Sequence, residues 1–266
     1  MSLMKRLDEA RGAFARRDVE ASKRAHNAGV VVQAAETHRK GHQYIGDVVY
    51  GGLDGIVTTF AVVSGVAGAD LSVGIVLIMG MANLLGDGFS MATGAYLSAR
   101  SEQEYYDRER SREEWEVAHY PDGEKQEMTQ LYKTQGYSAE EAERLVEIQS
   151  RDPKRFVDVM MVHELGMLPD DRPPLSSAIA TFISFIVFGS VPLLVYFVGF
   201  AAPAIRSIAF PVAAVLTAVA LFGLGSAKHL VTSRSGIRSG LETLVVGSLA
   251  AIVAYAVGYF MRGLGG

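Results

Sequence analysis

Residues 72–117 read SVGIVLIMGMANLLGDGFSMATGAYLSARSEQEYYDRERSREEWEV. The first part, 72–97, is mostly apolar and long enough to cross the roughly 30 Å hydrocarbon core of a bilayer. The second part, from Arg100 onward, is strongly charged, yet no proline or glycine separates the two parts after Tyr96. Because nothing interrupts the helical pattern, we predict one helix that begins inside a membrane and continues into water.

Four further apolar segments of membrane-spanning length occur at about 48–69, 175–199, 208–229 and 241–261. The fold class predicted from them is all-α, a polytopic membrane protein with five transmembrane helices. Residues 1–46 lack the apolar core of a signal peptide. We predict four regions: a basic leader over 1–46, transmembrane helices one and two over 47–99, an acidic helical domain over 100–174 inserted between the second and third spans, and transmembrane helices three to five over 175–266.

The distribution of Lys and Arg predicts the orientation. The leader has nine basic residues against five acids, and the connection from Lys228 to Arg238 has three basic residues. Basic loops stay on the cytoplasmic side. We therefore expect the N-terminus and the acidic domain in the cytosol and the C-terminus outside, with a prokaryotic plasma membrane as the simplest location.

The acidic domain carries the features of a metal site. Nineteen of the 29 acidic residues lie between Arg100 and Arg172. Several share a helical face through spacings of three or four residues: Glu109, Glu113 and Glu116; Glu124 and Glu127; and Met160 or Met161 with Glu164. Carboxylate and thioether ligands together favour a transition metal over Mg²⁺ or Ca²⁺. The alternative is a solvated acidic face on which Arg108, Arg110 and Arg112 pair with the glutamates.

Two of the predicted spans contain polar residues that need an explanation. Asp54 lies several residues inside the first span, where an ionised side chain is expensive and usually functional. The alternative is a protonated Asp54 hydrogen-bonded to a neighbouring helix. In the second span Asn83, Asp87 and Met91 recur every four residues and share a face. This stripe predicts the wall of a transport path.

Several functions are excluded or unsupported. The chain has no cysteine, so it has neither disulfides nor thiolate metal ligands. No Walker-type loop and no G-x-S-x-G motif is present. The acidic insert argues against nucleic acid as a partner. We expect no bond to be made or broken, and therefore no enzyme.

The chain resembles the vacuolar iron transporter family over about Tyr44 to Arg262. Three motifs carry the resemblance, and their order and spacing are specific: Asp54-Gly55; Ser90-Met91 with Gly94-Ala95-Tyr96-Leu97-Ser98; and Phe156-Val157-Asp158-Val159-Met160-Met161-Val162-His163-Glu164-Leu165-Gly166.

The resemblance implies a homodimer with five spans per subunit that exports Fe²⁺ from the cytosol in exchange for protons. It implies that Asp54 and Met91 line the path at the dimer interface. It further implies a cytosolic metal-binding domain whose ligands fall on seven positions here: Glu113, Glu116, Glu124, Glu127, Met160, Met161 and Glu164. The chain departs from the family at Asn83, where members often carry Glu, and Asp87 one turn later offers a carboxylate instead.

Two other functions stay open from the sequence. One is a manganese exporter, since Mn²⁺ accepts the same ligands as Fe²⁺. The other is a membrane-anchored metal buffer or sensor that transports nothing. Zn²⁺, Co²⁺ and Ni²⁺ are expected to bind the acidic domain without being carried, and no prosthetic group is expected. The partners predicted are metal ions, protons, the lipid bilayer and a second copy of the chain.

Overall fold

A computed structural model describes residues 12–14, 16–25, 44–170, 172–227 and 235–263. These residues form ten α-helices and one 3₁₀ helix at Pro203–Ile208, and no strand occurs among them. The α-helices are α1 Val19–Ala25, α2 Ile45–Gly68, α3 Val73–His119, α4 Pro121–Thr134, α5 Ala139–Gln149, α6 Pro153–His163, α7 Pro174–Gly189, α8 Val191–Ala201, α9 Ala209–Ala227 and α10 Gly236–Phe260.

The predicted all-α class is confirmed for the described residues, and so is the continuous helix of the opening stretch. The helix α3 runs unbroken for 47 residues. Most of the predicted leader 1–46, and residues 228–234 of the basic connection, lie outside the described residues. Arg238, assigned from sequence to that connection, belongs to α10 instead.

Within the described part of the chain, four helical segments are long and apolar enough to cross a membrane: α2, α3, the 3₁₀ helix continued by α9, and α10. The predicted third span, 175–199, is two helices, α7 and α8, bent by 47° at Ser190. Pro192 in the first turn of α8 explains the break, because proline has no amide hydrogen for the preceding helix and its ring crowds that helix's last carbonyls. The pair brings the candidate spans to five.

The chain divides into two compact units. One comprises residues up to Gly88 together with those from Ala180 onward, and we call it the membrane unit. The other, Phe89–Ile179, we call the acidic unit. The helix α3 contributes its first part to the former and its larger part to the latter.

The membrane unit is built around α2, which packs against α8, α9 and α10. Glycines permit this packing. A Cβ atom added to Gly68 would collide with the backbone oxygen of Tyr255, and one added to Gly258 would collide with the backbone oxygen of Gly65. Small residues that allow two helix backbones to approach are typical of membrane interfaces. The backbones of α2 and α10 are therefore in direct contact.

The acidic unit has a small apolar core between α3, α4, α5 and α6. The spacing of Ser138 and Glu141 predicts a capping box, and the structure confirms it: the Ser138 side chain accepts from the Glu141 amide, and the Glu141 carboxylate accepts from the Ser138 amide. Asp152-Pro153 predicts the start of a helix that runs to about Leu165. Asp152 caps α6, which ends two residues earlier, at His163.

Pro121-Asp122-Gly123 predicts a helix break, with the next helix beginning at about Glu124. The break is present, but it is shorter than predicted: only Tyr120 separates α3 from α4, and Pro121-Asp122-Gly123 form the first turn of α4. Proline is favoured at the first position of a helix because the amide hydrogen it lacks has no partner there.

We expect Gly258→Ala to destabilise the membrane unit by about 1–3 kcal/mol, as over-packing does elsewhere. Thermal unfolding of the detergent-solubilised protein, followed by circular dichroism, measures the loss. The matched control is Gly223→Ala, because a Cβ atom there would meet nothing within 4 Å. Equal unfolding temperatures for the two variants would contradict the backbone contact between α2 and α10.

Candidate functional site

Three carboxylates of the acidic unit meet at one point. Glu113 and Glu116 come from α3, and Glu124 comes from α4. One oxygen from each lies within 4.8 Å of the others. Glu113 is fully buried and Glu124 is 6% exposed, so water does not separate their charges. Buried like charges repel unless a proton or a cation joins them. We call these three residues the Glu triad.

Glu164, at the end of α6, belongs to the same electrostatic cluster. One of its carboxylate oxygens is buried and has no hydrogen-bond partner, and the same is true of the Glu113 Oε2 atom. Burial, together with the charges of Glu127 and Glu124, raises the pKa of Glu164 above its ordinary value. Five predicted ligands, Glu127 included, are therefore close enough for their charges to interact.

Burial also dominates the titration of Glu113 and Glu124. It raises the pKa of Glu113 to about 7, opposed by the charge of Arg112 and reinforced by the charges of Glu164, Glu116 and Glu124. Burial raises the pKa of Glu124 as well, with the charges of Glu116 and Glu127 adding to the effect. A metal ion that binds Glu113 therefore competes with a proton near neutral pH.

The sequence left open an alternative to a metal site, in which arginines pair with the glutamates on a solvated face. This pairing is partly present. Arg108 pairs with Glu109, and Arg110 pairs with Asp158 on α6 at 2.7 Å. Arg112 pairs with Glu109, Glu113 and Glu116. However, the face is not solvated throughout, because two members of the Glu triad are buried. Glu109 differs from the triad: hydrogen bonds from Arg108 and Arg112 lower its pKa.

The core beneath the triad contains the two predicted thioether ligands. Met160 and Met161 are both fully buried. They pack with other apolar side chains of the acidic unit: Val117, Met128, Tyr132, Ala142, Val146, Phe156 and Val157. Packing alone accounts for buried methionines. Their role as metal ligands therefore stays a prediction.

Polar contacts fix the chain on either side of Glu164. The ion pair between Arg110 and Asp158 ties α6 to α3. After α6, the Gln103 side chain donates to the backbone oxygens of Asp170 and Arg172, at 3.2 and 2.7 Å. These contacts hold the segment that carries Glu164 against the helix that carries Glu113.

The membrane unit has a separate site around Asp54. This residue lines a cavity of about 360 Å³ between α2 and α10. Among the described residues, the Asp54 carboxyl group has no hydrogen-bond partner, so the alternative of a protonated Asp54 that donates to a neighbouring helix lacks its acceptor. The cavity wall also includes Glu242 of α10. Two carboxylates thus face one space between helices of membrane-spanning length.

Asn83 and Asp87 form a short polar network in the same unit. The Asn83 side-chain amide donates to the Asp87 carboxylate, and its oxygen lies 3.5 Å from the Thr59 hydroxyl of α2. Asp87 is also close enough to Asp54 for their charges to repel. Three of the four predicted path residues, Asp54, Asn83 and Asp87, therefore interact through a hydrogen bond or through their charges. Met91 follows one turn later on α3, within the acidic unit.

Glu242 is the residue that the sequence analysis missed. It lies in the second turn of α10 and is exposed in the single chain. A carboxylate six residues from a helix start resembles an ordinary span boundary, and nothing in one sequence links it to Asp54. The only available signal was the acidic side chain itself next to apolar Leu241, Val245 and Val246.

Comparison with known proteins gives one consistent result. The sequence profile of the VIT family matches residues 45–259. The vacuolar iron transporter of Toxoplasma gondii is 38% identical over 96% of this chain and 88% of its own length. The protein of the same name from Plasmodium falciparum is 34% identical over 97% of both chains. Vacuolar iron transporter 1 of Arabidopsis thaliana is 33% identical over 84% of this chain and 88% of its own length.

The buried Glu113 predicts an unusual pH dependence of stability. The pKa of Glu113 is about 7 in the folded state, against 4.5 as its ordinary value. The folded state therefore binds more protons than the unfolded state between these values, and stability falls as pH rises through this window. We expect the metal-free protein to lose about 1–3 kcal/mol between pH 5 and 8.

Fluorescence of Trp115, the only tryptophan in the chain, follows unfolding of the acidic unit in detergent with a chelator present. Glu113→Gln should flatten the pH dependence, because the amide does not titrate. The control is Glu143→Gln, on the exposed side of α5, which should leave the dependence unchanged. A steep dependence that survives in Glu113→Gln would contradict the assignment.

Proposed function

Because this chain belongs to the VIT family, we propose that it is an iron transporter that moves Fe²⁺ out of the cytosol in exchange for protons. It is a transporter and not an enzyme. The observation that carries the proposal is the cavity between α2 and α10 that Asp54 and Glu242 both line. A metal buffer anchored in a membrane has no use for carboxylates among its spans, whereas a cation path requires them.

The chemistry of the side chains supports Fe²⁺ as the cargo. Asp54, Asp87 and Glu242 offer oxygen atoms, Asn83 offers an amide oxygen, and Met91 offers a thioether. Divalent iron accepts all three ligand types, and nitrogen or oxygen sites bind Fe²⁺ more tightly than Mn²⁺. The names of the relatives point to the same ion.

The Glu triad serves, in this proposal, to collect the ion from the cytosol. Glu127, Glu164, Met160 and Met161 complete the predicted ligand set. Protons and metal ions compete for the same carboxylate lone pairs. An ion is therefore held on the near-neutral side of the membrane and released on the acidic side, where protons return through the same carboxylates. Zn²⁺, Co²⁺ and Ni²⁺ bind the triad in this scheme without being carried.

The exposure of the cavity in a single chain supports a homodimer. Its wall includes Tyr50 and Val246, which are 65% and 63% exposed. A lone chain would turn Asp54 and Glu242 toward lipid, where each ionised group costs roughly 3 kcal/mol. A second copy seated on this face would enclose the carboxylates. In this proposal the N-terminus and the acidic unit are cytosolic, and transport runs outward across a plasma or organellar membrane.

We expect Asp54→Asn to lower Fe²⁺ uptake into proteoliposomes about tenfold or more, because loss of a charged ligand costs more than about 1.4 kcal/mol. A pH-sensitive dye inside the vesicles should show the proton counterflow falling in parallel. The control is Asp70→Asn, in the same unit but between two spans and 82% exposed. Metal binding by the acidic unit with no flux in the wild type would instead identify a buffer or sensor.

Competition between Fe²⁺ and Mn²⁺ distinguishes an iron transporter from a manganese exporter. In the same vesicles, we expect a roughly tenfold excess of Mn²⁺ to leave most Fe²⁺ uptake intact, since Mn²⁺ binds such ligands more weakly. Faster flux of Mn²⁺ than of Fe²⁺ at equal concentration would identify a manganese exporter.

A further inference from the structure

Arg112 occupies a special position beside the Glu triad. Its Nη2 atom lies 2.5 Å from Glu113 Oε1 and its Nη1 atom lies 2.7 Å from Glu116 Oε2. Its Nε atom lies 3.1 Å from Glu109 Oε2. Among the described residues, Arg112 is the one cation that makes ion pairs with members of the triad.

We propose that Arg112 is an internal counterion that a divalent metal ion displaces when it binds the Glu triad. The inference rests on the proposed metal capture by the acidic unit. Guanidinium groups stay protonated at every physiological pH. Arg112 therefore offsets the repulsion between Glu113 and Glu116 whenever the triad holds no metal.

The two cations compete for the same carboxylates. A metal held by the triad binds between Glu113 and Glu116, and both carboxylates now accept hydrogen bonds from Arg112. A guanidinium left in place would sit within about 4 Å of the metal, where like charges repel strongly even near a protein surface. The Glu113 Oε2 atom, buried and without a partner, remains free for the incoming ion. Binding therefore requires Arg112 to withdraw from the triad.

Arg112 has an alternative ion-pair partner close by. Its side chain is 43% exposed, whereas that of Glu113 is 1% exposed, so the arginine can move while the glutamate stays. Glu109 lies one helical turn earlier on α3 and already accepts a hydrogen bond from Arg112 Nε. Arg112 can therefore release Glu113 and Glu116 while it keeps Glu109. The ion pair is exchanged along one helix face, without movement of the backbone.

Calorimetric titration of the detergent-solubilised full chain with Zn²⁺ tests the exchange. We expect Arg112→Gln to bind Zn²⁺ about tenfold more tightly than the wild type, because the competing charge is gone. The same variant should unfold at a lower temperature without metal, as judged by Trp115 fluorescence. Arginine in a purely structural role would lower that temperature and leave affinity unchanged or weaker.

Two further variants make the test specific. Arg108→Gln removes a neighbouring charge whose ion-pair partner among the described residues is Glu109, and it should change Zn²⁺ affinity by less than about twofold. Arg112→Lys keeps the charge but contacts one carboxylate at a time, and its affinity should fall between those of the wild type and Arg112→Gln. If Arg112→Gln does not fold, the lysine variant decides.

The outcomes separate this inference from the proposed function. Equal or weaker Zn²⁺ binding by Arg112→Gln, or by Arg112→Lys if that variant decides, overturns the exchange and leaves metal capture standing. A wild type that binds no Zn²⁺ overturns both the exchange and metal capture. A wild type that binds Zn²⁺ but moves no Fe²⁺ across vesicles overturns transport alone.

Discussion

A carboxylate removed from water must take up a proton, pair with a cation or coordinate a metal, and this protein removes several at once. Glu113 is fully buried beside Glu116 and Glu124. Asp54 and Glu242 face one cavity between apolar helices. The same constraint therefore operates in both units.

The two units compensate the charges of their carboxylates in different ways. The acidic unit has a positive charge of its own, since Arg112 reaches two members of the triad. Among the described residues of the membrane unit, no arginine or lysine pairs with Asp54, Asp87 or Glu242. Its polar groups contact one another instead, as Asn83 does with Asp87. Arg112 can thus balance carboxylate charge in the acidic unit without metal at neutral pH. The carboxylates of the membrane unit need protons, water or a bound cation instead.

Much of the fold was predictable because it follows from local chemistry. Hydropathy located the spans, and the absence of Pro and Gly after Tyr96 predicted the continuity of α3. The capping box at Ser138 and the cap at Asp152 are encoded within four residues. The errors arose where one residue has two meanings. Pro121 can end a helix or begin one. Glu242 was missed because its significance lies in proximity to Asp54, which is far away along the chain.

The burial of Met160 and Met161 has a consequence for chemical durability. Ferrous iron and peroxide together generate oxidants that convert thioethers to sulfoxides, which are polar and disrupt apolar cores. Both sulfur atoms lie in fully buried side chains, whereas Met79 and Met261 are about half exposed. The chain has no cysteine, so methionines supply all of its sulfur. The core of the acidic unit thus keeps two of these sulfur atoms where diffusing oxidants reach them last.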